Sequence, residues 1–258
     1  MVLSQTNGNM GTNGDAARRR PDNRLLQLLS EQDFALFEQH MDWFGARSDQ
    51  VLYSPGDSVG TVYFPCGSSV ASYRVVTEDG QEVETVLVGK EGAVGGIVSH
   101  GDVPAFTRIV VQFGGPFLRL RLSDLQAIQD HSPQVAHLFA RYADCLLAQI
   151  FQSTACNAAH SIEQRLAKWI IDAIERRDDQ DLPLTHAQLA AMVGIGRNYA
   201  SRLLQVFREQ GLIETRRGGL RIIDLAGLQR RACQCHNAVK QHFARVLLGV
   251  YPNATPAA

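Results

Sequence analysis

Hydrophobic positions recur with two different periods along the chain, and the change of period divides it. From Leu25 to Phe44, the apolar residues Leu25, Leu28, Leu29, Phe34, Phe37, Met41 and Phe44 predict one or two short helices. From Val51 to Leu122, β-branched and aromatic residues alternate with turn markers such as Pro55-Gly56-Asp57, Pro65-Cys66-Gly67 and Gly114-Gly115-Pro116. That is the pattern of short strands in a sandwich or barrel. Ser132-Pro133 then caps and opens a helix. Val135, Leu138, Phe139, Tyr142, Leu146, Leu147, Ile150 and Phe151 give it a broad apolar stripe, long enough for a helix of about 25 residues. A hinge between domains is expected near Asn157 to His160. Ile162, Leu166, Trp169, Ile170, Ala173 and Ile174 mark the next helix, which ends in the polar run 176–181.

The stretch from Leu184 to Ile223 predicts a short helix, a tight turn, a second helix and a small hairpin. Thr185 is placed to cap the first helix through its hydroxyl. Leu189, Ala190 and Val193 form that helix's apolar face, and Gly194 suits a turn with positive φ. The second helix begins near Gly196, with Tyr199, Ala200, Leu203, Val206 and Phe207 on its apolar side. Its other face carries Arg197, Asn198, Ser201, Arg202, Gln205 and Arg208, a row of long donors with almost no acid. Ile213–Arg216 and Leu220–Ile223 flank Arg217-Gly218-Gly219 and read as a hairpin with a glycine turn. From Asp224 to Leu248 the spacing of Leu225, Leu228, Val239, Phe243 and Leu247 is helical again.

Composition changes this picture in one respect. At 258 residues, 45% hydrophobic and 20% charged, the chain is that of a globular protein with room for two domains. Its net charge of −1 hides an asymmetry. Between His186 and Arg231 there are eight arginines against three acids, a local excess of five that leaves about −6 elsewhere. Such a concentration of positive charge is the footprint of a nucleic-acid face. No apolar run approaches the roughly 20 residues needed to span a bilayer, and the N-terminus has no secretory pattern. A cytoplasmic protein without a membrane partner is expected. The five cysteines are scattered, which points to reduced thiols more than to a disulfide framework.

LTHAQLAAMVGIGR and EQGLIETRRGGLRIIDL resemble the winged helix-turn-helix of the Crp/Fnr family of bacterial transcription regulators. VLYSPGDSVGTVYF, EDGQEVET and GKEGAVGG resemble the same family's β-roll. The resemblance covers roughly residues 25 to 225. It implies an α+β fold with an N-terminal β-roll (jelly-roll-like) sensor domain, a long dimerisation helix and a C-terminal winged helix-turn-helix domain. The expected divisions are a disordered arm over 1–20, the β-roll with flanking helices over 21–131, the dimerisation helix over 132–158, the DNA-binding domain over 159–225 and a helical extension over 226–258. Arg18-Arg19-Arg20 in the arm reads as a solvated tail in preference to a phosphate contact. The extension exceeds the family's minimal pattern, and the sequence does not decide between bracing the DNA-binding domain and widening the dimer contact.

The resemblance further implies double-stranded DNA, a second copy of the chain and RNA polymerase as partners. The family's base-facing positions, commonly Glu, Ser and Arg, fall on Asn198, Ser201 and Arg202. Arginine reads guanine O6 and N7, whereas an Asn amide suits adenine and cannot act as a pure acceptor for cytosine. Thr185, Arg197, Arg216 and Arg217 are expected at phosphates, which position without specifying sequence.

An effector pocket is placed by the resemblance at Glu91, Gly95, Gly96 and Arg108. Gly95-Gly96 stand where cyclic-nucleotide binders carry Gly-Glu, and the phosphate-binding Arg falls near Phe106. A phosphate buried without a paired cation is costly, so a cyclic nucleotide is not expected, and no cofactor is predicted. The chain has no Cys before Cys66, which argues against the iron–sulfur cluster of oxygen-sensing members. Cys233-x-Cys235-His236, with His242 beyond, is the one metal-like grouping, but on a helix residues two apart face different ways, so no metal is assigned. Haem through a single His or Cys stays open. There is no G-x-S-x-G, P-loop or H-E-x-x-H, hence no enzyme is expected. Two other readings remain: a cofactor-bearing redox or gas sensor, and a ligand-binding module that acts mainly through protein contacts.

Overall fold

The computed structural model describes residues 20–78, 80, 82–98, 101 and 103–251. The expected disordered arm, with Arg18 and Arg19, lies outside them apart from Arg20. Arg20 is not a solvated tail residue. It donates to the carbonyls of Gln27 and Leu29, pairs with Glu31 and lies 4.9 Å over the ring of Phe34.

Two short helices open the fold, α1 (Arg24–Gln27) and α2 (Glu31–Glu38). Asn23 caps α1 by accepting from the Leu26 amide. It is fully buried because its amide also donates to the carbonyls of Pro65 and Gly92, 2.8 Å each. Phe44 does not extend these helices as its spacing suggested. It sits in β1 (Asp42–Ala46), where a strand pairing with a later strand overrides helical periodicity. The strands β2 (Val51–Tyr53), β3 (Thr61–Pro65), β4 (Val70–Val76), β5 (Glu82–Val88), β6 (Arg108–Phe113) and β7 (Gly115–Arg121) follow. They form two antiparallel sheets, ordered β1-β7-β3 and β2-β6-β4-β5. Ala46, Tyr53, Ala71, Val86, Val88, Ile109, Val111 and Phe117 close the core between them.

Helices α3 (Leu122–His131) and α4 (Pro133–Ala159) lead away from the roll. The side chain of Ser132 caps α4 with Pro133 in its first turn. Tyr142 pins α4 to the β-roll. Its hydroxyl accepts from the Ala93 amide and donates to the Ala93 carbonyl, 2.9 Å each. A Cβ at residue 92 would stand 2.0 Å from that hydroxyl, so glycine is required there. The expected hinge is shorter than its four residues. Helix α4 continues through Ala159, and the turn is confined to His160 and Ser161 before α5 (Ile162–Arg177).

Beyond α5 lie β8 (Asp181–Leu182), α6 (His186–Val193), α7 (Arg197–Glu209), β9 (Ile213–Arg216) and β10 (Gly219–Ile222). The three strands form a sheet ordered β8-β10-β9, with Gly219 opposite Arg216 across the hairpin. One apolar core joins this domain to the roll. Val70, Leu87 and Phe113 pack with Trp169, Ile170, Leu189, Val193, Leu204 and Phe207.

The expected single helix from Asp224 to Leu248 is two, α8 (Leu225–Arg231) and α9 (Cys235–Leu247). The chain leaves helical geometry at Ala232, whose extended backbone lets α9 turn back. Helix α9 lies along α4, with Phe243 edge-on to Tyr142 and Arg141 donating to the carbonyls of Val246 and Leu248. Tyr251 then donates to Asp33 at 2.8 Å, returning the chain to α2.

Candidate nucleic-acid interface

The presenting scaffold is assembled from local signals. Thr185 and Gln188 form a reciprocal capping box at the start of α6, which satisfies two free donors. Gly194 ends α6 at φ 70, ψ 44, a left-handed conformation suited to glycine. Gly196 then starts α7. Ala200, Leu204 and Phe207 are the buried residues of α7 and centre its packing face. Tyr199 and Val206, expected on that face, lie at its margins and are 39% and 38% exposed. A face centred on 200, 204 and 207 rotates both towards solvent.

Arg197, Asn198, Arg202, Gln205 and Arg208 are exposed on α7. Asn198 and Arg202 are one turn apart and share a face. The guanidinium of Arg202 lies 5.4 Å over the ring of Tyr199, which holds it extended. Ser201 is half-buried, and its hydroxyl sits 3.0 Å from Nδ1 of His186. His186 thus positions a residue that the sequence singled out, and nothing in the pattern of apolar residues marks it for that task.

The four expected phosphate contacts stand in different surroundings. The side chains of Arg197 and Arg217 have no hydrogen bond or ion pair among the described residues. Arg217 sits at the tip of the hairpin, where Gly218 takes φ 78. Arg216 is shared between Asp181 at 3.5 Å and Glu214 at 3.2 Å, so part of its charge is already neutralised. The Thr185 hydroxyl is engaged with Gln188 in the cap.

The residues expected around an effector are not brought together. Glu91 is paired with Arg176 of α5 at 2.7 Å. Arg108 is paired with Glu82, which also holds Arg74. A Cβ at residue 95 would stand 2.4 Å from the Thr61 carbonyl, and one at residue 96 would meet Leu122, so both glycines are wedged against the roll. A cleft of about 570 Å³ between α1, α4, α5 and α9 is lined by Glu91 but not by Gly95, Gly96 or Arg108.

That cleft lies at a strongly charged joint. Arg176 and Lys168 both pair with Asp172, and His236 bridges Asp172 and Glu175. Burial opposes charge on His236, but the hydrogen bonds its ring donates to the two acids outweigh it and raise its pKa to about 9. Beside this cluster, Trp169 donates to Glu84 of β5, and burial pushes that carboxyl up to about 7 despite the hydrogen bond. At the C-terminal end of α4, Cys156, His160, Cys233 and Cys235 converge. The sequence treated Cys233 and Cys235 as two residues on one helix. In fact α9 begins at Cys235, so Cys233 lies in the preceding loop and both thiols reach the same point. His236 faces the acids of α5 instead, and His242 is exposed.

Residues 164–231 match the family model of the Crp-like helix-turn-helix domain. No curated protein matches the chain. Among solved structures, CLP of Xanthomonas campestris, a c-di-GMP-responsive global regulator, is 17% identical with a TM-score of 0.61, over 75% of this chain and 99% of that one. FixK2 from Bradyrhizobium japonicum is 15% identical with a TM-score of 0.63, over 75% and 98%. A CRP-family transcriptional regulator from Thermus thermophilus, TTHB099, is 17% identical with a TM-score of 0.62, over 74% and 96%. The β-roll, long helix and winged domain are therefore one shared architecture. Among the described residues, no helix is long and apolar enough to cross a membrane.

Proposed function

We propose that this chain, which carries a Crp-like helix-turn-helix domain within the fold of the Crp/Fnr regulators, is a sequence-specific DNA-binding transcription regulator. It acts as a homodimer on an inverted-repeat operator, with RNA polymerase as its downstream partner and the cytoplasm as its setting. The observation that carries this reading is the exposed face of α7, where Asn198 and Arg202 project from a capped and well-packed helix. Arg202 reads guanine, Asn198 reads adenine, and Ser201 is steadied by His186 for a neighbouring contact. Arg197 and Arg217 hold phosphates. Arg216 and Thr185 contribute less, because their groups already have partners within the protein.

Dimerisation uses the side of α4 that α9 leaves uncovered. There Leu147, Ile150 and Phe151 are 48%, 39% and 69% exposed, all within about one helical turn. An apolar stripe of this kind on a soluble chain marks a contact surface. A two-fold dimer places its reading helices roughly 34–36 Å apart, which fixes the half-site spacing. The β-roll takes no cyclic nucleotide. Arg108 is committed to Glu82, and Gly95 and Gly96 are packed against the roll.

Selection of sites from a random duplex pool at about 0.15 M salt tests the reading, salt being fixed because phosphate contacts dominate affinity. An inverted repeat is expected, with adenine favoured at the base facing Asn198. A pool that stays random with and without cell extract, or an Asn198→Ala variant with unchanged preference, overturns it. Phe151→Glu should shift the protein to monomer in sedimentation and abolish selection of the paired site.

A further inference from the structure

The joint between α4 and α5 holds four side chains that the DNA-binding reading does not use. Cys156 lies in the last turn of α4, and His160 is its C-cap residue. Cys233 is in the loop after α8, and Cys235 opens α9. The two pairs are far apart in sequence, yet all four ligand atoms lie within 4.8 Å of one another. The Sγ atoms of Cys156 and Cys233 are 3.5 Å apart, and Cys235 Sγ is 3.5 Å from His160 Nδ1. All three thiols are buried, and the imidazole is half-buried.

We propose that Cys156, His160, Cys233 and Cys235 bind a single divalent, thiophilic metal ion of the zinc class. Metal–sulfur bonds of about 2.3 Å in a tetrahedron put neighbouring sulfurs about 3.8 Å apart. The observed separations surround that value. Three sulfurs and one imidazole are a donor set that selects zinc over magnesium or calcium, which require oxygen. An iron–sulfur cluster spreads its thiolates around several irons and needs a wider cage than 4.8 Å. A disulfide between Cys156 and Cys233 would account for two of the four groups and leave the convergence of the others without a cause. On binding, three thiols lose their protons to solvent, Nδ1 of a neutral His160 donates its lone pair, and the site carries one negative charge. Gln152, whose amide donates to Cys235 Sγ at 3.1 Å, supports that thiolate from the outer shell. The ion fastens the end of α4 to the loop before α9, at the point where the roll and the DNA-binding domain join.

The test uses the full chain, purified without a histidine tag and kept reduced. Mass spectrometry of metal content is expected to give about one zinc per chain. Co²⁺ added to the chelator-stripped protein is expected to give the d–d and thiolate charge-transfer bands of a tetrahedral site, lost on adding one equivalent of Zn²⁺. Cys235→Ser and His160→Ala should each lower bound metal at least tenfold, while Cys66→Ser leaves it unchanged. A readout without variants guards against misfolding. Chelator should expose Cys156, Cys233 and Cys235 to alkylation together, and Zn²⁺ should protect them, with Cys66 and Cys145 unaffected. Absence of stoichiometric metal and of the Co²⁺ thiolate bands, a Cys156–Cys233 disulfide in their place, or protection of other cysteines would overturn the proposal.

Discussion

Arg202 on α7 is exposed and rests against the ring of Tyr199, whereas Arg176 on α5 is enclosed and pairs with Glu91 and Asp172. The two regions use the same chemistry in opposite ways. On α7, cations stand in water with few acids nearby, and the attraction they offer is available to an incoming polyanion. At the joint, Lys168, Arg176 and His236 spend theirs on Asp172, Glu175 and Glu91. Positive charge alone therefore does not locate a nucleic-acid face; charge without an internal partner does.

Substitutions should separate the two regions cleanly. Arg176→Ala leaves Glu91 and Asp172 enclosed without one partner, and breaking such a pair costs about 3–5 kcal/mol. Chemical denaturation should show that loss, while the folded fraction still selects the same DNA site. Arg202→Ala should do the reverse, weakening operator binding by about 1–3 kcal/mol in titrations and relaxing preference at one base pair, with the unfolding midpoint unmoved. If Arg202→Ala also lowers the midpoint, the two regions are not independent.

Smaller effects sharpen the contrast. Glu84 has its pKa raised from 4.5 to about 7, because burial disfavours its charge more than Trp169 and Ser72 favour it. The folded state thus keeps a proton that the unfolded chain has released. Stability should be highest below about pH 4.5 with respect to this group and fall as pH rises through 7. Glu84→Gln should flatten that slope in denaturation series between acid and neutral pH. The mildest change is Arg217→Ala. Binding should weaken by less than about 1 kcal/mol for every sequence alike, and the salt slope should drop by about 1.

The two regions also differ in how far the sequence reveals them. Helices α6 and α7 were legible because their determinants are local: the Thr185 cap, Gly194 and a helical run of apolar residues. Tyr199 and Val206 were misplaced because a few apolar residues locate a helix face only to within a fraction of a turn. The joint was illegible because its partners come from separate stretches: Glu91 meets Arg176, Trp169 meets Glu84, and Cys156 meets Cys233. Cys233 and Cys235 misled further, since where α9 begins decides whether they face together, and no cap residue announces that start. Helix α4 was readable as apolar and long, but which of its sides meets α9 depends on the break at Ala232.

The path of the extension has a kinematic consequence. A head joined by one linker can swivel about it in every direction, like a flag on a rope. Here the chain passes outward at His160–Ser161 and comes back at 232–234, to lie again along α4. A body held at two points keeps a single free rotation, about the line through them, as a door does on its hinges. Any rearrangement that re-aims α7 must therefore part the apolar core shared with the roll and swing about that line, and the Cys156–Cys233 contact lies close to it.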